Sequence, residues 1–149
     1  MLRYFEDVAV GDRFGSRSYV VTEEAIKAFA SEFDVQRFHL DATAGATSDF
    51  GGLVASGWHT AAIAMRLFTT GELQFAGGAI GLAVDELRWP AAVHPGDTLQ
   101  LTTEILEARR SRSKNGRGII RIRNVMTNQV GAVVLSYSAL AMVQTRGVA

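Results

Sequence analysis

Apolar residues recur along this chain in two rhythms, and the change of rhythm divides it in half. In the first half the spacing is helical. Ile26, Phe29, Ala30 and Phe33 fall at i, i+3, i+4 and i+7, the stripe of an amphipathic helix. Thr22 stands before that stripe as an N-cap, and Glu23 and Glu24 fill the first turn, where the helix dipole favours acids. Asp41 is placed to cap a short helix through Ala46, and "SDFGGLVASG" (48–57) reads as a loop of small residues. From Gly57 to about Thr70, apolar residues such as Trp58, Ala61, Ile63, Met65, Leu67 and Phe68 lie nearly all round the wheel. That pattern predicts a helix buried on most sides.

The second half alternates. "AIGLAVDELRW" (79–89) is strand-like, and its apolar parity switches between Val84 and Leu87, which predicts a bulge. After a turn at "HPGD" (94–97), Leu99, Leu101, Thr103 and Ile105 alternate with polar residues. Asn115-Gly116 is a hairpin signal leading into "RGIIRIRNVMT" (117–127), and a turn near Asn128 to Gly131 leads to "AVVLSYSALAMV" (132–143). Ahead of all this, "DVAVGDRFGSRSYVVT" (7–22) gives a turn at Gly11-Asp12 and a strand ending near Val21. Three meander strands follow one long helix, so the fold class is α+β, an antiparallel sheet curved around a central helix. No repeat, linker or low-complexity segment interrupts the chain, and 149 residues make one domain, 1–149.

Composition narrows the function. Fifteen basic and fifteen acidic side chains cancel, so no global field draws the protein to nucleic acid or an anionic membrane. The absence of cysteine excludes disulfides, thiolate metal sites and a cysteine nucleophile. The start is charged from its third residue without an apolar core, and the apolar run around Trp58 to Phe68 is too short to span a bilayer. The expected setting is cytoplasmic. His39, His59 and His94 show no metal-ligand spacing, and "GGAIG" (77–81) does not match the dinucleotide fingerprint. His59 and Arg66, seven apart on the long helix, read as a satisfied polar stripe.

"EFDVQRFHLD" (32–41) carries the candidate chemistry. Asp34 and His39 stand five positions apart between two helical patterns, with Phe33 and Phe38 around them. Alone, such a pair reads as a cap and a satisfied histidine. Its neighbours change that. The order "YFEDVAVGDRF", "FDVQRFHLD", "FGGLVASGWHT", "WPAAVHPGDTL" is similar to the MaoC-like dehydratases, which include the (R)-specific enoyl-CoA hydratases. The resemblance runs from Tyr4 to about Val143 and implies a hotdog fold. Asp34 and His39 match the family's catalytic pair. Gln36 stands where Asn is commonest and Arg37 where Pro is usual, while Gly57 matches a glycine that opens the central helix and Ser56 replaces the His common before it.

The chemistry this implies is hydration of an enoyl thioester. It needs a base for the water, an acid for the α-carbon and a donor for the thioester oxygen. Asp34 and His39 can manage the protons, each such group being worth about 10²–10⁴-fold. The Gly57 amide, at a helix N-terminus, can bind the oxygen. Catalytic residues implied are thus Asp34, His39 and Gly57. Gln36, Ser56, Trp58, Phe38 and Phe50 are the candidates to contact substrate, although Trp58, Phe38 and Phe50 read most simply as core. No cofactor or metal is required, since coenzyme A arrives as part of the substrate. The resemblance also implies a homodimer or an assembly of dimers. Two other readings stay open: a hotdog thioesterase, which normally carries a carboxylate on the central helix, and a non-catalytic acyl-thioester-binding subunit. The basic run "ARRSRSKNGRGIIRIR" (108–123) reads as a solvated hairpin blunting a sheet edge, or as a dock for the phosphates of coenzyme A.

Overall fold

In the computed structural model, which describes residues 1–147, local signals set most of the element starts. The Thr22 hydroxyl accepts the Ala25 N–H at 3.2 Å and opens helix α1 (Glu23–Phe33). The Asp41 carboxylate takes the Thr43 N–H at 2.7 Å and opens α3 (Ala42–Ala46). Between them lies a single turn, α2 (Arg37–Leu40), too short to show a period in the sequence. The long helix α4 runs Gly57–Thr69 and is capped by Ser56.

The strands are β1 (Arg13–Gly15), β2 (Tyr19–Val20), β3 (Ala79–Arg88), β4 (Thr98–Arg110), β5 (Arg117–Thr127) and β6 (Val133–Gln144). They form one antiparallel sheet in the order β1-β4-β5-β6-β3, with β2 also paired to β4. The meander β4–β5–β6 is the expected one, and β3 crosses to the far edge beside β6. Two turns take left-handed glycines where the hairpin signals fell, Gly116 (φ 71°) and Gly131 (φ 80°). The expected strand ending near Val21 is instead split into β1 and β2. Ser16 interrupts it, because its hydroxyl rather than a main-chain carbonyl accepts the Leu101 N–H, at 2.8 Å. The bulge in β3 appears as a register shift between Asp85 and Arg88, with Glu86 at φ 52°, and a second shift lies between Gly81 and Ala83.

The core forms where the inner face of the sheet meets α4 and α1. Ile26, Ile63, Leu99, Ile105, Ile120 and Leu135 are nearly or fully buried there. One expectation fails. Helix α4 is buried on only one side: His59, Ile63, Ala64 and Leu67 face inward, whereas Trp58 is 59% and Met65 53% exposed. The apolar periodicity reported hydrophobicity all round, but the sheet covers a single face. The uncovered face continues onto β3, where Leu82 and Val84 are each about half exposed.

The basic hairpin joins β4 to β5 at the end of β4 that β1 and β2 do not reach, since those strands pair only with residues 98–104 of β4, so it stands beside an open stretch of sheet edge. Part of its charge is paired, Arg110 with Glu6 at 3.0 Å and Arg121 with Asp85 at 3.0 Å. His59 and Arg66 do not form a polar stripe. His59 is buried, stacked on the Phe29 ring at 4.9 Å, and its Nδ1 has no partner among the described residues. Arg66 is exposed, with its guanidinium 5.7 Å from the Tyr19 ring centre. Among the described residues no helix is long and apolar enough to cross a membrane.

Candidate active site

Helix α1 delivers Asp34 as its C-cap, and the Asp34 N–H still closes the last turn on the Ala30 carbonyl. The chain then turns once through α2, which brings His39 back to the same place. His39 Nε2 lies 3.2 Å from Asp34 Oδ2. Its other nitrogen, Nδ1, is 2.7 Å from the Val54 carbonyl oxygen. A carbonyl only accepts, so Nδ1 carries a proton and Nε2 of a neutral ring would present a lone pair to the carboxylate. Two acceptors repel. The contact is a hydrogen bond only when one further proton is held between Asp34 and His39.

The second wall of the site is the loop entering α4. Ser56, fully buried, accepts the Trp58 N–H at 3.2 Å and so fixes the helix start. Its hydroxyl is also the strongest influence holding the Asp34 carboxyl below the usual carboxylate range. Partial burial opposes it, and Gln36 and His39 act in its favour. Gln36 donates its amide to Asp34 Oδ1 at 2.6 Å, so it orients the carboxylate from the side away from the imidazole. Gly57, the first residue of α4, has no partner for its N–H among the described residues, as expected of a first helical turn. A Cβ on Gly57 would lie 2.7 Å from Trp89 Cε2, and the Trp89 indole N–H donates to the Gly57 carbonyl at 2.8 Å. Glycine is therefore required here by close approach of the indole.

These groups line one cleft of about 370 Å³ that contains Asp34, Gln36, His39, Gly57 and Trp89. Phe38, Phe50 and Trp58 line it too. Their simpler reading as core residues is corrected, since Phe50 and Trp58 are exposed and Phe38 is half-buried. Ser56 is not on the cleft wall; it acts through Asp34 and the helix cap. Two participants escaped sequence reasoning: the Val54 carbonyl has no residue-type signature, and Trp89 reaches Gly57 from 32 positions away. Ser56 was expected to contact substrate; its part as a cap was the one missed, although a small hydroxyl before a helix start is the signal for it. The loop itself is pinned from behind: a Cβ on Gly45 of α3 would stand 2.6 Å from the backbone of Gly52 and Leu53. Among the described residues no cluster of His, Asp and Glu could hold a metal ion.

Chemically, the arrangement offers a carboxylate–imidazole pair with room for one proton between its two atoms, on the same cleft as an amide N–H that is unpaired among the described residues. The sequence profile of the MaoC like domain matches residues 7–126. The structure superposes on the MaoC-like dehydratase of Rhodospirillum rubrum with a TM-score of 0.93 at 48% identity, covering 98% of this chain and 99% of that one. The (R)-hydratase PhaJ1 of Pseudomonas aeruginosa, unliganded, gives a TM-score of 0.78 at 26% identity over 96% of this chain and 86% of that one. A Mycobacterium tuberculosis protein with a double hotdog fold gives 0.78 at 21% identity, over 97% of this chain and 45% of that one.

Proposed function

Because the chain belongs to the MaoC-like domain family and has its hotdog fold, we propose that it is a hydratase–dehydratase interconverting a trans-2-enoyl-CoA and an (R)-3-hydroxyacyl-CoA. The observation that carries the reading is the Asp34–His39 contact, 3.2 Å long and able to bond only around a shared proton. The likeness to an (R)-hydratase supports the same reading. Water sits against the pair, its oxygen attacks C3 and one of its protons passes to the pair. The proton already stored between Asp34 and His39 goes to C2 from the same face, so addition is syn and the pair ends as it began. The Gly57 N–H binds the thioester oxygen while negative charge gathers there, a donor of the kind whose loss costs roughly 3–4 kcal/mol. The scheme uses no metal or cofactor. Helix α4 has no acidic residue between Gly57 and Thr69, which leaves the thioesterase reading without its usual carboxylate.

The uncovered edge of β3 supports a homodimer. It is the outer strand of the sheet, and its apolar side chains are half exposed, a surface that a second copy would cover. Val84→Lys should then shift the protein to monomer in light scattering.

The test of function is a panel of enoyl-CoA thioesters of different length and branching, followed by loss of the conjugated chromophore on water addition. Turnover of at least one member that is lost in Asp34→Asn supports the reading. A folded protein that hydrates none of them but still binds acyl-CoA would identify a non-catalytic binding subunit instead.

A further inference from the structure

The other end of α4 carries a second cavity of about 430 Å³ with different chemistry. Met65, Phe68, Leu73 and Val84 are among the apolar side chains that make most of its wall. Asn124 and Tyr137 interrupt that wall, and each is more than nine-tenths buried. They belong to a row: Thr103, Asn124 and Tyr137 stand opposite one another on β4, β5 and β6. The Thr103 hydroxyl donates to Asn124 Oδ1 at 2.5 Å, and Asn124 Nδ2 donates to the Tyr137 hydroxyl at 2.8 Å.

The donor count of this row does not close. Two hydroxyls and one amide bring four polar hydrogens, and the two bonds use two of them. Among the described residues the Tyr137 O–H and the second Asn124 N–H find no acceptor. Turning the amide over would move the spare hydroxyl proton to Thr103 and leave the count as it is. Buried donors without acceptors are costly and uncommon. The row also ends at an irregularity. Tyr137 lies between the register partners of Asp85 and Arg88, where β3 bulges and Glu86 adopts its left-handed conformation. Bulges of this kind gather beside functional sites, where they re-aim side chains.

We infer that the acyl part of the substrate carries an uncharged acceptor oxygen partway along its chain, and that the Tyr137 hydroxyl and Asn124 amide bind it. The inference rests on the acyl-CoA reading above. Position agrees with it: Met65 is eight residues beyond Gly57, about 12 Å along the helix axis. The cavity and the catalytic cleft both border the uncovered face of α4 that carries Trp58 and Met65. Charge selects the kind of oxygen. No side chain lining the cavity is charged, so a carboxylate would be desolvated without a counter-charge, whereas an ether or carbonyl oxygen needs only the donors present.

Calorimetry with unreactive ligands tests this without relying on turnover. The probes are dodecanoyl-CoA and analogues in which one methylene after another, from carbon 5 outward, is replaced by oxygen. One position should bind about tenfold tighter than its neighbours, the value of a hydrogen bond to an otherwise unpaired buried donor. Tyr137→Phe, checked for an intact melting transition, should erase that peak. A series without a peak, or a peak that survives Tyr137→Phe, overturns the inference while leaving the hydratase reading intact. Failure of every acyl-CoA to bind overturns both.

Discussion

Replacing Ser56 by alanine removes one oxygen that has two separate tasks, and the two can be measured apart. The first task is structural. Ser56 Oγ caps α4 through the Trp58 N–H at 3.2 Å, and loss of such a cap costs about 1 kcal/mol. For a domain of this size that is a fall of roughly 3 °C in melting temperature. The second task is electrostatic. The same hydroxyl is the chief cause of the lowered Asp34 pKa, so its removal moves that pKa upward, toward the ordinary carboxylate value. The acid limb of kcat/KM against pH should therefore move to higher pH. Ser56→Gly separates the effects, because glycine at an N-cap costs only a few tenths of a kcal/mol. It should keep nearly all the melting temperature and still show the displaced limb. Rates taken across the acid range on the best enoyl-CoA, with melts in the same buffers, make the comparison. A lower melting temperature with an unmoved acid limb in Ser56→Ala would falsify the electrostatic role and leave Ser56 as a cap alone.

Asp34→Asn and His39→Ala should each lower kcat by about 10²-fold or more, and the double variant should be little worse than the poorer single one, since residues acting as a unit give non-additive losses. Additive losses in pre-steady-state hydration would contradict a shared proton. Gly57→Ala should lose activity although it keeps the N–H, because its Cβ would stand 2.7 Å from Trp89 Cε2. Adding Trp89→Leu should restore part of it, and no recovery in the double variant would mean that the indole is not the obstacle. Burial holds the His59 imidazole below its ordinary pKa, so neutral His59 contributes stability that is present above the unfolded value near 6.5 and is lost as pH falls through the lower folded one. His59→Phe keeps the stack on Phe29 and should flatten the decline in melting temperature between about pH 7 and 5; an unchanged slope counts against the idea.

Legibility followed the range of the interaction involved. Helices α1 and α3 were readable because Thr22 and Asp41 act on neighbours two or three residues away, and the hairpins because Gly116 and Gly131 answer a local demand for positive φ. The break between β1 and β2 was not readable. It depends on a Ser16–Leu101 bond that joins positions 85 apart. Apolar periodicity could say that Trp58 and Phe50 were hydrophobic but not whether they faced the core or a cleft, which only the placement of the sheet decides. At the candidate site, Asp34 and His39 came from spacing and family likeness. Their proton-sharing came from the Val54 carbonyl, a main-chain atom that no residue letter reports.

One short loop does three jobs in four residues: Val54 sets the imidazole tautomer, Ser56 tunes the carboxylate and Gly57 offers its amide. Behind it, Gly45 grips the backbone at Gly52 and Leu53 so closely that no side chain fits between them. Lineages that lengthen or shorten this region therefore face an uneven landscape. Insertions between Ala46 and Gly51, ahead of the grip, alter only the rim of the cleft beside Phe50. A single residue added between Leu53 and Gly57 would put tautomer, carboxylate and amide out of step at once. Natural variation in loop length, and any graft that exchanges rims between chains of this fold, should accordingly stop at Gly52.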